Sequence, residues 1–240
     1  MDSLQKNDFI EIEFTGKSNG EIFDTTNKEE AKKIGLEVDV KPMIISIGNQ
    51  MLLQGLDEDL VNKEIGKKYT IHLSPEKAFG KRNTSLIKIV SMRIFKEKNI
   101  NPYPGMALQL DTSIAKVISV SGGRITVDFN NPLAGKEVDY EITIKRKIED
   151  TREKINALQD YFFRQRFDFI IENSKVIFKD QKIQPFLEIF KQKFKDTTGL
   201  DFEVETKKEE NKEDIKTGQK EKSEEKEESD SKKKSKPKNL

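Results

Sequence analysis

Two widely separated stretches alternate apolar and polar residues: Ile10-Glu11-Ile12-Glu13-Phe14, and Val138, Tyr140, Ile142 and Ile144 with polar neighbours between them. A period of two puts one side of a chain on a core and the other in water, so both read as half-buried strands. The end of the chain is the opposite case. Residues 206–240 hold 12 Lys, 10 Asp or Glu, and only Ile215 and Leu240 as large apolar residues. Such a stretch cannot bury enough surface to offset its ordering entropy, and it is expected to be disordered. Folding then falls to residues 1–205. The charges of the tail are mixed in sign up to a basic cluster at Lys232, Lys233, Lys234, Lys236 and Lys238. A solubilising role is the favoured reading, with a weak tether to the ribosome or nucleic acid as the alternative.

Asn19-Gly20 is a hairpin turn, and Ile22-Phe23-Asp24 begins the return strand. A short helix over 29–34 ends at Gly35, and a strand follows over 43–47. Residues 50–60 carry Leu53, Leu56 and Leu60 on one helical face, ahead of a strand over 68–73. The stretch 86–130 reads as a separate small β unit, with a hairpin turning at Ser121-Gly122-Gly123. Beyond Asp150-Thr151, which can cap a helix, the pattern predicts a helix over 152–166 and a hairpin at Asn173-Ser174. A second amphipathic helix stops at Gly199, and Phe202 and Val204 suggest a last strand. This third unit reads helix–strand–strand–helix–strand. Its aromatic residues, Phe162, Phe163, Phe167, Phe169, Phe178, Phe186, Phe190 and Phe194, exceed what about 55 residues bury alone, so self-association is expected there.

Composition removes most catalytic chemistry. With 44 Lys and Arg against 43 Asp and Glu, the net charge is +1, which argues against binding nucleic acid by phosphate neutralisation. There is no Cys, so disulfides, thiol nucleophiles and thiolate metal sites are excluded, and a single His72 leaves no multi-His site. No phosphate-binding loop or GxGxxG motif occurs. Asp57-Glu58-Asp59 reads as the solvated face of a Leu-faced helix, and His72, between Ile71 and Leu73, as an outward strand residue. No apolar run matches a membrane span, and no secretion signal opens the chain, so a cytoplasmic location without membrane attachment is expected. What remains is apolar: Phe14, Phe23, Met43, Leu52, Leu53, Leu56, Phe79 and Tyr140, with Asp24 directly after Phe23. On composition alone these residues form a hydrophobic core.

Four separated motifs carry more. Phe14-Thr15-Gly16, then Gly20-x-x-Phe23-Asp24-Thr25-Thr26, then Ile47-Gly48-Asn49-Gln50-Met51-Leu52-Leu53-Gln54-Gly55-Leu56-Asp57, then Ser74-Pro75-x-x-Ala78-Phe79-Gly80 resemble the FKBP-type peptidyl-prolyl isomerases in order and spacing. Where compact members have a short loop before the final strand, this chain has roughly 45 residues, ending in Asn130-Asn131-Pro132-Leu133-Ala134-Gly135-Lys136. That layout is similar to the SlyD-like branch, whose insert-in-flap domain binds unfolded chains. With a further domain after it, the whole resembles the long archaeal FKBPs, which implies a chaperone role and dimerisation through the C-terminal domain.

The resemblance implies an α+β fold. An FKBP-like antiparallel sheet wrapped on a short helix would occupy 1–85 plus 131–149, with an inserted small all-β domain at 86–130 and a C-terminal α-β-β-α-β domain at 150–205. It implies a peptidyl-prolyl cis-trans isomerase and folding chaperone acting on unfolded or proline-containing polypeptides, without metal or cofactor. Carried over by position, Phe14, Phe23 and Tyr140 are pocket walls and Leu56 the floor. Leu52 and Leu53 are the helix edge, Leu53 offering its backbone N–H to the peptide, and Met43 is a rim residue. Asp24 is the polar group facing the bound bond. Phe14 and Phe79 stand where the family commonly has Tyr, which implies a less firmly held Asp24, one substrate hydrogen bond fewer and modest activity. In the insert, Ile94, Phe95, Ile100, Tyr103, Met106 and Leu108 are candidate client contacts, the alternative being that they form its core. A non-catalytic holdase gripping apolar segments is the rival function.

Overall fold

The computed structural model describes residues 3–37, 40–110 and 113–205, so the charged tail and its expected tether lie outside the described residues. Strand β1 (Phe9–Ser18) is the axis of the first sheet, and β9 (Val138–Ile148) runs antiparallel beside it. The two alternating stretches are therefore spatial neighbours, with Phe14 opposite Ile142 and Ile12 opposite Ile144. On the far side of β9 lies β4 (Lys68–Leu73). Along the other side of β1, β3 (Met43–Ser46) pairs with its first half and β2 (Glu21–Thr25) with its second. The polar phase of the alternation carries cross-strand ion pairs, among them Glu141 with Lys17 and Lys68, and Glu13 with Lys145. Asn19 and Gly20 both have positive φ, as a two-residue hairpin turn requires.

Helix α1 (Lys28–Lys33) is capped by the Asn27 side chain and ends before Gly35, at φ +71. Helix α2 (Gln54–Asp59) packs near β4 and is shorter than the 50–60 expected. Gln50, at φ +58, cannot continue a right-handed helix, and Leu53 is still extended, so winding begins only at Gln54.

The chain leaves the first sheet after β4 and returns in β9. Between them, β5 (Ile87–Ser91), β6 (Ala107–Leu110), β7 (Ser113–Ser121) and β8 (Arg124–Asp128) form a second antiparallel sheet, ordered β5-β8-β7-β6. A short helix, α3 (Met92–Glu97), corrects the all-β expectation. The Ser91 side chain caps it, and it folds Phe95 onto the sheet. Phe95, Leu108, Ala115, Val117, Ile125 and Val127 make a core separate from that of the first sheet. The two crossings to this unit are laced together. Arg82 donates Nε and Nη2 to Asp128 Oδ2, at 2.9 and 2.5 Å. Asn83 and Asn130 exchange two hydrogen bonds, and Gly135 N–H donates to the Gly80 carbonyl.

The last unit comprises α4 (Thr151–Phe162), β10 (Phe169–Glu172), β11 (Lys175–Phe178), α5 (Gln184–Thr198) and β12 (Asp201–Val204). β10 is antiparallel and β12 parallel to β11. Asp150 caps α4, which stops short of residue 166 because Arg164 sits at φ +57. Apolar packing is continuous with the first sheet, running from Phe9, Ile12 and Ile45 to Ile155, Leu158, Phe163 and Phe194. Phe163, Phe167, Phe169, Phe178 and Phe194 are buried within the chain, while Phe162, Phe186 and Phe190 keep some exposure. Among the described residues, no helix is long and apolar enough to cross a membrane.

Candidate active site

Consecutive strand residues normally face opposite sides of a sheet. Phe23 and Asp24 escape this rule through a bulge: Gly16 pairs with Asp24 and Lys17 with Ile22, which leaves Phe23 as an extra residue on β2. Gly16 also lies opposite Tyr140 on β9. A Cβ at Gly16 would meet Phe23 Cζ at 2.8 Å and Tyr140 Cε1 at 3.0 Å, so glycine lets both rings close over the strand. The Phe23 ring then makes edge-on contacts with Tyr140 and Phe79, each at 5.7 Å between centroids, and Phe14 meets Tyr140 at 5.8 Å. Phe14, Tyr140 and Leu56 are buried, whereas Phe23, Phe79, Leu52 and Leu53 retain partial exposure. The cluster has a buried apolar back and a partly exposed front.

Asp24 stands at the open edge. Desolvation raises its carboxyl above the usual aspartate range, opposed by the Thr25 backbone N–H. Burial, and then the charge of Asp24, push the Tyr140 hydroxyl well above its ordinary value, so it stays protonated and able to donate.

Helix α2 reaches the site through a glycine and an aspartate. A Cβ at Gly55 would fall 2.4 Å from Leu73 Cδ2, so glycine allows the helix to lie against β4 with Leu56 turned inward. Asp57, expected on a solvated face, is instead 7% exposed. It accepts the N–H of Gly48 at 3.1 Å and of Gln50 at 2.8 Å. The turn formed by Gly48, at φ +77, and Gln50 leaves N–H groups pointing inward, and a carboxylate one turn into the helix satisfies two of them. Burial raises its pKa against those two N–H bonds. Glu58 and Asp59 are exposed, as expected.

Other expected site residues lie elsewhere. Met43 starts β3 opposite Ile12 and is partly buried against the first core. Ile94, Phe95, Tyr103, Met106 and Leu108 belong to the second unit. Phe95 and Leu108 are 5% and 4% exposed and form its core, which corrects their assignment as client contacts. Ile100 and Met106 pack partly against that core, while Ile94 and Tyr103 are 48% and 62% exposed. The sequence reading missed Ile89 and Ile114, which are 70% and 67% exposed. Their register places them on the sheet face away from the core, and the signal was there: around Ile114 both phases of the alternation carry apolar residues. His72 is exposed, as its alternation predicted, and is paired with Asp139. Among the described residues, no group of three or more His, Asp or Glu could hold a metal ion.

The sequence profile of the FKBP-type peptidyl-prolyl cis-trans isomerase family matches residues 2–96, and a profile described as "FKBP26, IF domain" matches residues 88–133. A short-type peptidyl-prolyl cis-trans isomerase of Methanocaldococcus jannaschii is 30% identical over 145 residues, covering 59% of this chain and 92% of that protein. This chain belongs to the FKBP-type peptidyl-prolyl cis-trans isomerases. The FKBP-type 16 kDa isomerase of Escherichia coli K12 is 32% identical over 149 residues, 60% of this chain and 93% of that protein. An FKBP-type isomerase of Aeromonas hydrophila, SlyD, is 27% identical over 149 residues, 61% of this chain and 65% of that protein. The chain is thus an isomerase of SlyD-like kind, and the α4–β12 unit lies beyond both profile matches.

Proposed function

We propose that this FKBP-type isomerase is a folding chaperone, rotating X–Pro bonds in the cleft around Gly16 while an inserted domain holds the unfolded client. In this reading 1–85 plus 131–149 is the isomerase domain, 86–130 the insert and 150–205 a C-terminal domain. Rotation about an X–Pro bond faces a barrier of about 18–20 kcal/mol because it breaks amide resonance. The planar amide is strongly dipolar and favoured by water, while the twisted form has lost part of that dipole. An apolar cleft raises the planar form relative to the twisted one without a nucleophile, metal or cofactor. A thousandfold acceleration needs only about 4 kcal/mol. Phe14, Phe23, Phe79 and Tyr140 supply the walls, Leu56 the floor, and Leu52 and Leu53 the rim. Asp24 faces the rotating bond. The observation that carries this reading is the ring cluster closed over Gly16 with Asp24 at its edge. Membership of an isomerase family favours rotation over the holdase reading.

Holding the client nearby makes each encounter with the cleft effectively intramolecular, at millimolar effective concentration for a short tether. The exposure of Ile89, Ile94, Tyr103 and Ile114 on a unit with its own core supports this role. Exchange measured by NMR on a short X–Pro peptide should survive removal of residues 87–129, while catalysed refolding of a proline-limited protein should slow sharply. Equal losses in both assays would refute the division of labour. The partial exposure of Phe162, Phe186 and Phe190 supports self-association through the C-terminal domain, and a monomer by light scattering at micromolar concentration would dismiss it.

A further inference from the structure

The C-terminal unit touches the loop that carries Leu52 and Leu53 towards the cleft. Tyr161, near the end of α4, donates its hydroxyl to the Gln50 carbonyl at 3.2 Å. Thr197, near the end of α5, has its hydroxyl 2.7 Å from the Lys193 carbonyl and 3.2 Å from Asn49 Oδ1. Its single proton favours the shorter contact, so the Asn49 contact is the weaker of the two. Lys193 adds a positive charge that favours the Asp57 carboxylate. From inside, Asp57 takes the Gly48 and Gln50 N–H groups. Gln50 is therefore gripped at both ends of its peptide units, its N–H by α2 and its carbonyl by α4, while it holds a left-handed conformation uncommon outside glycine.

We propose that Tyr161, acting through Gln50, is a positioning residue for the isomerase: the C-terminal unit clamps the 48–53 loop so that Leu52 and Leu53 meet the peptide in register. The proposal rests on the role given to Leu53 above. Only Met51, itself 2% exposed, and Leu52 separate Gln50 from Leu53, so a shift at Gln50 is passed along two buried or half-buried residues. A hydrogen bond to bound peptide tolerates a spread of only about 0.5 Å, so a small displacement of the Leu53 N–H weakens it. The M. jannaschii isomerase is spanned almost entirely by a 145-residue match, and the family profiles stop at residue 133. The clamp is therefore an addition that tunes binding, and its loss should weaken the site without abolishing it.

Tyr161→Phe in the full-length protein removes only the hydroxyl. By NMR exchange over a range of X–Pro peptide concentrations, we expect KM to rise about two- to tenfold with kcat unchanged, the change of one net hydrogen bond. The amide resonances of Gln50 and Leu53 should shift, and the denaturation midpoint should stay near wild type. Asp57→Asn, which can accept only one of the two loop N–H groups, should raise KM in the same way. If Asp57→Asn fails to fold, Tyr161→Phe decides alone. An unchanged KM in Tyr161→Phe overturns the proposal, as does a fall in kcat at constant KM. Leu56→Glu separates this failure from that of the cleft reading. If Leu56→Glu leaves exchange intact, the cleft reading falls and the clamp with it. If it abolishes exchange while Tyr161→Phe behaves as wild type, only the clamp falls.

Discussion

Gly16 faces Asp24 across one strand boundary and Tyr140 across the other, and the space a side chain would occupy there is taken by aromatic carbon. Its φ is not left-handed, so Gly16→Ala is tolerated by the backbone and acts through the rings alone. Overpacking of this kind costs on the order of 1–3 kcal/mol, and displaced walls should lower kcat/KM for a short X–Pro peptide by about tenfold or more with the fold retained. Wild-type exchange in Gly16→Ala would remove the ring cluster from the mechanism. Phe79→Tyr works in the opposite direction. The ring stands edge-on to Phe23 and keeps partial exposure, so under the proposed function a hydroxyl on it would offer a donor to bound peptide. One added net hydrogen bond of about 0.5–1.5 kcal/mol predicts a two- to tenfold gain in kcat/KM, read by the same exchange experiment. The pair Phe23-Asp24 was legible in the sequence because a motif carries it. The bulge at Phe23 was not, since register depends on a partner strand and not on local pattern. Asp57 was misread for a related reason: its partners are two N–H groups of a turn, and backbone donors leave no mark in a sequence.

At the level of elements, β1, β4 and β9 were readable because each holds a run, 10–14, 69–73 and 138–144, in which one face is more buried and the period of two is kept. Helices α2 and α4 were drawn too long, because apolar spacing does not register the left-handed Gln50 and Arg164 that bound them. Helix α3 was missed altogether, having only Phe95 buried and hence no stripe to detect. The outer face of the first sheet yields a test by pH. Hydrogen bonds from Lys17, then Lys68, hold the Glu141 carboxyl down at about 2, below its ordinary 4.5. The folded state therefore binds fewer protons than the unfolded chain in this window, and the stability from these pairs is full above about 4.5 and is lost as pH falls towards 2. Glu141→Gln should lower Tm slightly at pH 7 and make its decline between about pH 5 and pH 2 shallower. An acid limb as steep as that of wild type would assign the effect to other carboxylates.

Across the whole molecule, the decisive contrast is between a shared core and a private one. The first sheet and the C-terminal unit bury their apolar residues together, while the second sheet keeps its own cluster. Native-state hydrogen exchange should accordingly find the amides of β1, β9 and β11 opening together at the global free energy, with β7 and β8 opening separately and at lower cost. Removing 150–205 should lower Tm steeply by uncovering Phe9, Ile12 and Ile45, whereas removing 87–129 should change it little; the reverse order would contradict the division of cores. The sequence indicated an aromatic surplus in the last unit, but only the folded chain shows how many of those rings are absorbed internally. The paired crossings at Arg82–Asp128 and Asn83–Asn130 have a mechanical consequence. A polypeptide tugging on the far end of the second sheet would load the rest of the protein through these two short stretches. Tension would spend itself on a handful of polar contacts at that neck, and the geometry around the rotating bond would be spared.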